Sequence, residues 1–262
     1  MSDLITVQGV VLSAMPIGEY DKRIVLLTRE RGKISAFAKG ARRMNSPFMA
    51  AANPFVFGTF TLYEGRSSYN LNQVSVKRSF AELAQKQPGI YYGYYFLELA
   101  DYFGREGTDG KDLMNLLYVT ILALDSPSLG DRLVRCIYEL RIMTEEGMMP
   151  AIYACTGCGR EPEGEAPWYF SQEDHGLLCP ACARQTAVRH TPVGLPAIRT
   201  MQYIAAVPMN RLYTFTVTDE ILSELEAVIH PYVKLGTDRK FKSLGILEGM
   251  ESLLVDLTGK RG

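Results

Sequence analysis

The chain has 262 residues, of which 47% are hydrophobic and 22% charged, with five cysteines and a formal net charge of -1. This composition is that of an ordinary globular protein and excludes a chain that is disordered throughout. The apolar run near the N-terminus is too short for a membrane span, and Asp3 stands where a secretory signal would be basic. We therefore expect no signal peptide, no transmembrane helix and a cytoplasmic location.

Charge is distributed unevenly along the chain. Residues 1–80 contain 11 Lys and Arg against 5 Asp and Glu, whereas the remaining residues contain 17 basic and 24 acidic groups. A basic segment of this kind is typical of a protein that faces a polyanion with one part of its chain. A solvated basic surface would produce the same count, so composition alone leaves both interpretations open.

Five runs rich in β-branched and aromatic residues predict strands near the N-terminus. They are residues 5–12, 23–28, 33–39, 55–63 and 69–77. Turns containing Gly, Pro, Asn or Ser separate these runs. Five short strands in a segment of this length fit a small closed barrel, of which the OB-fold is the commonest nucleic-acid-binding version; an SH3-like barrel has much the same strand count. We predict a five-stranded barrel domain over residues 1–80, with the OB-fold as the version that would bind nucleic acid.

The segment KISAFAKGARR, residues 33–43, separates two faces by its alternation. One face is small and apolar and suits a barrel core. The other face places Phe37 between Lys33 and Lys39, and Arg42 and Arg43 follow it. Single-stranded nucleic acid is bound by this combination, because cations hold the phosphates while bases stack on the ring. An isolated cluster of this kind is more often a solvated surface, but the domain's other cations favour binding.

Further candidate DNA contacts lie in the same domain, where Arg29 and Arg31 add to the positive charge. These candidates are Lys22, Arg23, Arg66, Lys77 and Arg78.

From residue 79 onward, apolar residues recur at spacings of three and four, which predicts helices. The predicted helices are residues 79–85, 90–103, 111–124, 129–147, 194–207, 218–236 and 239–254. Thr218 is a candidate N-cap, and Pro231 predicts a kink or an early helix end. The aromatic residues within 91–103 are expected to build a core rather than a stacking platform. We predict one helical domain in two parts, residues 81–150 and 191–262.

Four cysteines form the most specific motif of the chain. Cys155 and Cys158, then Cys179 and Cys182, make two CxxC pairs separated by twenty residues. Two such turns present four thiolates to one Zn²⁺, and four protein sulfurs leave no position for water, so the zinc is expected to be structural. Two local disulfides or a four-sulfur iron site are the alternatives. We predict a zinc module over residues 151–190.

The surroundings of this motif carry secondary expectations. His175 is close in sequence but is not expected to be a fifth ligand, since four cysteines complete the site. Trp168, Tyr169 and Phe170 are expected to pack beside the metal. Cys136 lies in a helical pattern and is predicted to be a small buried thiol.

Catalysis finds no comparable support in the sequence. There is no GxxxxGK[ST] phosphate loop, no GxSxG elbow and no HExxH motif, and the three histidines stand in unrelated contexts. We therefore do not expect an enzyme, although a nucleic-acid enzyme with an unrecognised site remains an alternative.

The sequence resembles the bacterial RecO family of DNA repair and recombination mediators. The likeness runs through GEYDKRIVLLTRERGKISAFAKGARRMNSP at residues 18–47, the helical segments, the paired CxxC motifs and RKFKSLGIL at residues 239–247. The KGARR segment is fairly specific for the family, whereas the helices are not. Some members of the family lack the zinc cysteines, so the metal is not essential to the family's activity.

The resemblance implies an α+β multidomain protein: an N-terminal OB-fold followed by an α-helical domain with an embedded zinc module. It implies binding of single- and double-stranded DNA, annealing of complementary strands including those coated by SSB, and RecA loading together with RecR in the RecF pathway after DNA damage. By position, the family's DNA contacts fall on Lys33, Phe37, Lys39, Arg42 and Arg43. The expected location is cytoplasmic and nucleoid-associated, with no membrane or small-molecule partner.

One alternative from another class also stays open. The zinc module and the helices would then bind protein partners in an adaptor that makes no direct contact with DNA.

Overall fold

The computed structural model describes residues 3–66, 68–164 and 166–259, with side chains described as far as residue 250. The chain divides into two compact units. The first unit comprises Met1–Ile121 together with Lys240–Gly262, and the second comprises Leu122–Arg239.

A five-stranded sheet builds most of the first unit. Its strands are β1 Leu4–Ile17, β2 Asp21–Thr28, β3 Gly32–Ala38, β4 Val56–Glu64 and β5 Tyr69–Ser79. The pairing order β1-β2-β3-β5-β4 returns to β1, because β4 also pairs with β1. The β3–β5 pair is parallel and the other pairs are antiparallel. The prediction of five N-terminal strands is confirmed, since each predicted run lies in one of them to within one residue at its ends.

The interior of this sheet follows the alternation seen in the sequence. On β3, the apolar residues Ile34, Ala36 and Ala38 are fully buried, whereas Lys33 and Phe37 are only partly buried. Successive side chains of a strand point to opposite faces, so burying the small residues directs the cation and the ring outward.

The helices and the remaining strands follow in chain order. The helices are α1 Phe48–Ala51, α2 Gly89–Phe103, α3 Lys111–Asp125, α4 Asp131–Glu145, α5 Pro180–Ala183, α6 Leu195–Ala206, α7 Asp219–Gly236 and α8 Lys242–Gly259. The strands are β6 Ala151–Cys155, β7 Trp168–Ser171, β8 Gly176–Leu178 and β9 His190–Val193. Short 3₁₀ turns occupy Ala81–Gln85 and Met209–Arg211. Within the described residues, none of the helices combines the length and apolarity needed to cross a bilayer.

Helices α2 and α8 pack together in the first unit. Tyr92, Tyr95, Phe96 and Phe103 are buried on α2, which confirms for these residues that they build a core. Tyr94 differs, since it is 39% exposed and its ring lies 5.0 Å from that of Phe55. The ring of Phe241, just before α8, lies edge-on to Tyr95 with ring centroids 5.5 Å apart.

Three helices, α4, α6 and α7, pack together in the second unit, next to the sheet β6-β8-β7-β9. Thr218 caps α7, because its side chain accepts a hydrogen bond from the Ile221 amide at 3.5 Å. Of the two expected effects of Pro231, a kink or an early helix end, the early end is wrong, because the helix continues past the proline. It continues to Gly236 because packing dominates: residues on both sides of the proline, including Ile229 and Tyr232, are buried.

Two other expectations need local correction. The helix predicted over residues 79–85 is a 3₁₀ turn, Ala81–Gln85, too short for an amphipathic helix to form. The segment between β3 and β4 was expected to be a loop, and it contains the one-turn helix α1.

Candidate metal centre and nucleic-acid surface

Strand pairing brings the two CxxC motifs together. Strands β6 and β8 run parallel, so their carboxyl ends lie at the same edge of the small sheet. Cys155 is the last residue of β6, and Cys179 comes directly after β8. Each motif then turns, which places Cys158 after β6 and Cys182 within α5. The pairing of two short strands therefore aligns four thiols that are far apart in sequence.

The distances between the sulfurs fit a tetrahedral metal. All four Sγ atoms lie within 4.8 Å of one another, and the Sγ atoms of Cys158 and Cys179 are 3.7 Å apart. Zn–S bonds of about 2.3 Å in a tetrahedron separate the sulfurs by about 3.8 Å. A disulfide needs about 2 Å. All four cysteines are unbridged, so two local disulfides are not the arrangement observed.

Backbone amides favour the thiolate form at two of these cysteines. The amide of Cys182 is the main cause that lowers the pKa of Cys179 to about 6. Burial raises the pKa of Cys155, but amides led by that of Cys179, whose nitrogen lies 3.2 Å from Cys155 Sγ, lower it on balance. Hydrogen bonds to neighbouring sulfurs raise the pKa of Cys182 to about 12. The thiolate is the form that binds metals. These four cysteines therefore suit a metal cation, because its binding would displace the protons from the thiols that are still protonated.

The close approach of the sulfurs explains why the first CxxC motif contains a glycine, Gly157. A Cβ at Gly157 would lie 3.1 Å from Cys182 Sγ, so the absence of a side chain lets the turn approach the sulfurs. Of the three aromatic residues predicted to pack beside the metal, Trp168 and Phe170 are buried, whereas Tyr169 is partly buried with its ring 4.7 Å from that of His190. His175 is exposed on a turn and its ring lies 6.0 Å from that of Tyr232, so it is not part of the four-sulfur cluster.

The outer face of β3 carries the predicted aromatic residue. Phe37 pairs across the sheet with Arg23 on β2 and with Asn70 on β5. Arg23 is exposed, and its Nε donates a hydrogen bond to Ser35 Oγ at 2.8 Å. Directly opposite side chains in a sheet have Cβ atoms about 5 Å apart, so the ring and the guanidinium share one surface.

The segment after β3, residues 39–46, is held against the turn between β1 and β2; we call this segment the β3 loop. The Arg42 amide donates to the Tyr20 carbonyl at 2.9 Å, and Arg42 Nη1 donates to the Gly18 carbonyl at 3.1 Å. The Arg43 guanidinium lies 5.0 Å from the centre of the Tyr20 ring. Lys39, Arg42 and Arg43 are all exposed. These three cations are therefore presented together by one anchored loop.

Two other residues that were predicted to contact DNA form hydrogen bonds within the protein. Lys22 Nζ donates to Asn53 Oδ1 at 2.6 Å, and burial followed by the charge of Arg42 lowers the pKa of Lys22. Lys33 Nζ donates to the Asp101 carbonyl at 2.5 Å and lies 3.5 Å from Asp101 Oδ1. Both lysines are partly buried, so they hold the sheet to its neighbours as well as facing the surface.

The last three candidates lie elsewhere on the sheet. Arg66 is exposed in the β4–β5 turn and lines a cavity of about 370 Å³ that also contains Glu64 and Glu106. Lys77 and Arg78 are exposed near the end of β5, and the Arg78 guanidinium lies 4.9 Å over the Phe80 ring. Strand β5 runs parallel to β3, and Lys77 stands seven residues beyond Asn70, the residue that pairs with Phe37. Lys77 and Arg78 therefore lie further along β5 than the part that pairs with β3.

A buried ionic network between α4 and α7 was not anticipated. Arg135 Nε donates to Glu139 Oε1 at 2.9 Å, and His230 Nδ1 lies 2.5 Å from Glu139 Oε2. Burial raises the pKa of Glu139, but His230 and Arg135 outweigh this and lower it to about 2. The Arg135–Glu139 spacing of four residues was the available signal, whereas His230 comes from 91 residues further on.

The same network places Cys136, Glu226 and His230 within 4.8 Å of one another. Cys136 is fully buried, as predicted, and burial raises its pKa. Arg132 forms an ion pair with Glu226, so this carboxylate already has a cationic partner. The arrangement fastens α4 to α7.

Comparisons with known proteins identify the family. The family profile "Recombination protein O N terminal" matches residues 1–80, and "Recombination protein O C terminal" matches residues 88–245. A "DNA repair protein RecO" of Alkaliphilus metalliredigens is 31% identical over 93% of this chain and 98% of its own. Those of Symbiobacterium thermophilum and Bacillus pumilus are 30% and 28% identical, each over 95% of this chain, and over 98% and 96% of their own. The chain belongs to the recombination protein O family and has a role in DNA repair and recombination.

Proposed function

We propose that this protein is a recombination mediator that binds single- and double-stranded DNA and anneals complementary strands. The observation that carries the proposal is the anchored β3 loop, whose three exposed cations stand beside the Phe37 and Arg23 face. Cations on two strands of DNA lower the repulsion between their phosphates, and Phe37 offers a surface for a base. Annealing by this route needs no ATP.

The closed five-stranded sheet would act as an OB-fold in this proposal. Lys33 and Lys22 would contribute charge while they support the surface, because both are held by partners within the protein. Arg66 would extend the path of a DNA strand along the β4–β5 turn, and Lys77 and Arg78 would extend it along β5.

Zn²⁺ would be held by Cys155, Cys158, Cys179 and Cys182. The metal would stabilise the turns after β6 and β8, and a closed four-sulfur site leaves it no catalytic position. We propose no enzymatic reaction for the chain, and a cytoplasmic, nucleoid-associated location follows from its role on DNA.

Salt dependence of DNA binding tests the electrostatic part of the proposal. If about five cations contact phosphates, the log-log slope of affinity for single strands against salt is about -3.5, and K39A/R42A/R43A reduces its size by about 2. The matched control is R189A/R211A/K234A, which removes three exposed cations from the second unit. Equal binding by both triple variants moves the site elsewhere, and no binding by the wild type favours the protein adaptor.

Annealing and partner binding are tested in the same series. Adding a labelled complementary strand, bare or coated by SSB, should yield duplex without ATP, and K39A/R42A/R43A should slow its formation. RecR and SSB are proposed as partners on the family resemblance, together with a contribution to RecA loading. Co-sedimentation of the purified proteins checks RecR and SSB, and displacement of SSB by RecA with and without RecR checks loading.

A further inference from the structure

Met44 stands out among the apolar residues of the first unit. It lies in the β3 loop and is 88% exposed, more than the other large hydrophobic residues that the structure describes as exposed. A single exposed apolar side chain is normal on a protein surface. The backbone conformation and the charges around Met44, however, indicate a role for its exposure.

The backbone holds Met44 in a fixed turn. The Ser46 amide donates to the Arg43 carbonyl at 3.1 Å, which makes Met44 and Asn45 the central residues of a four-residue turn. Asn45 has φ of 65°, the conformation that the second central position of a type II turn requires and that asparagine tolerates. The turn therefore presents Met44 with a defined geometry.

The base of the loop is equally constrained. Ala41 is fully buried, and the Gly40 amide donates to Asp21 Oδ1 at 2.7 Å. Together with the contacts of Arg42 and Arg43 to the β1–β2 turn, these bonds fix the residues that precede Met44. On the other side, the Met49 amide donates to the Ser46 carbonyl at 3.1 Å. The methionine is an exposed apolar tip on an anchored support.

The positive charge around Met44 indicates which kind of partner it contacts. Arg42 and Arg43 directly precede Met44, and Lys39 lies on the same loop. An apolar side chain among cations suits a polyanion with an apolar interior, and DNA has both its phosphates and its stacked bases. Proteins that unstack duplex DNA commonly insert an apolar wedge, methionine among them, beside such phosphate contacts.

We propose that Met44 is a wedge that inserts between neighbouring bases of DNA and opens the stack, while Lys39, Arg42 and Arg43 hold the adjacent phosphates. This inference rests on the proposed DNA binding and adds a residue and a mode of contact to it. Unstacking at this point exposes base edges for pairing with an incoming strand.

Fluorescence of 2-aminopurine tests the wedge separately from binding. The base is quenched when stacked, so full-length protein added to a duplex with a single-stranded extension and 2-aminopurine at the junction should raise its emission. M44A should abolish the rise while its affinity, measured by anisotropy of an end label, changes by less than about threefold, because phosphate contacts dominate affinity. M149A is the control, since Met149 is a 41% exposed methionine in the second unit.

The outcomes separate the two proposals. Failure of the wild-type protein to bind DNA overturns the proposed function and the wedge with it. Tight wild-type binding without a rise in emission, or an equal rise with M44A, overturns the wedge alone. M44L should preserve the rise, because leucine retains an apolar side chain of similar size. A lost rise in M44L would overturn the wedge, because an apolar tip of that size would then not suffice for unstacking.

Discussion

The imidazole of His230 on α7 lies with Nδ1 2.5 Å from a carboxylate oxygen of Glu139 on α4. Glu139 is 1% exposed, and Arg135 donates to its other oxygen. A buried carboxylate is costly unless it is paired and hydrogen-bonded. Here both oxygens have a partner, so the charge that would weaken the helix contact instead fixes how the two helices meet.

Replacing Glu139 by Gln should therefore destabilise the protein by about 3 kcal/mol at pH 5, given a native pKa of about 2 against the ordinary 4.5. A carboxyl group whose pKa is lowered by folding stabilises the folded state above its unfolded pKa, and this contribution is lost as the pH falls. The stability difference between wild type and E139Q should therefore shrink between pH 4.5 and 2. Urea unfolding across this range measures it, and a difference that is unchanged below pH 4.5 contradicts the assignment.

The second unit contains the four-cysteine cluster and should therefore bind the metal. We expect one Zn²⁺ per chain by elemental analysis, released when a thiol-modifying mercurial is added with a chromogenic chelator. C155S/C158S should lower the stoichiometry to near zero, whereas C136S, at the buried cysteine outside the motif, should leave it at one. A zinc content that survives C155S/C158S would mean that the metal is held elsewhere.

Substitutions of Lys33 and Lys39 should affect different properties, protein stability for Lys33 and DNA binding for Lys39. Lys33 is bonded to Asp101, so K33A should cost about 1 kcal/mol of stability, as expected for a partly exposed charged hydrogen bond. Lys39 is exposed, so K39A should change stability by less than about 0.5 kcal/mol. It should reduce the salt slope of DNA binding by about 0.7. Chemical denaturation and a salt titration of both variants check this, and identical stability losses would refute the distinction.

Gly32 and Gly18 provide a matched test of close packing. Both have positive φ, but a Cβ at Gly32 would lie 2.0 Å from the Arg105 carbonyl oxygen, whereas one at Gly18 meets nothing within 4 Å. G18A should cost about 1 kcal/mol for its backbone conformation. G32A should cost at least about 3 kcal/mol, because the β3 start must also move away from Arg105. Thermal unfolding compares them, and equal costs would rule out the steric argument.

Local patterns in the sequence predicted much of this structure. The five strands and the outward position of Phe37 follow from the alternation of apolar and polar residues. The clustering of the four cysteines follows from the spacing of the two CxxC pairs, which few arrangements other than a metal site satisfy. The partners of single side chains did not follow. Asp101 is 68 residues from Lys33, and no local pattern reports that α2 ends beside β3. The continuation of α7 through Pro231 likewise depends on burial from other elements, which outweighs the local penalty.

The packing of α2 against α8 affects when the first unit can complete its folding during synthesis. Phe241 packs on Tyr95 and Tyr102, and Ser243 donates from its hydroxyl to Glu98. These contacts join α2 to residues that are synthesised only after the whole second unit. Domains generally fold as their chain emerges from the ribosome. The aromatic face of α2 therefore stays without its α8 contacts while residues 122–239 are being synthesised.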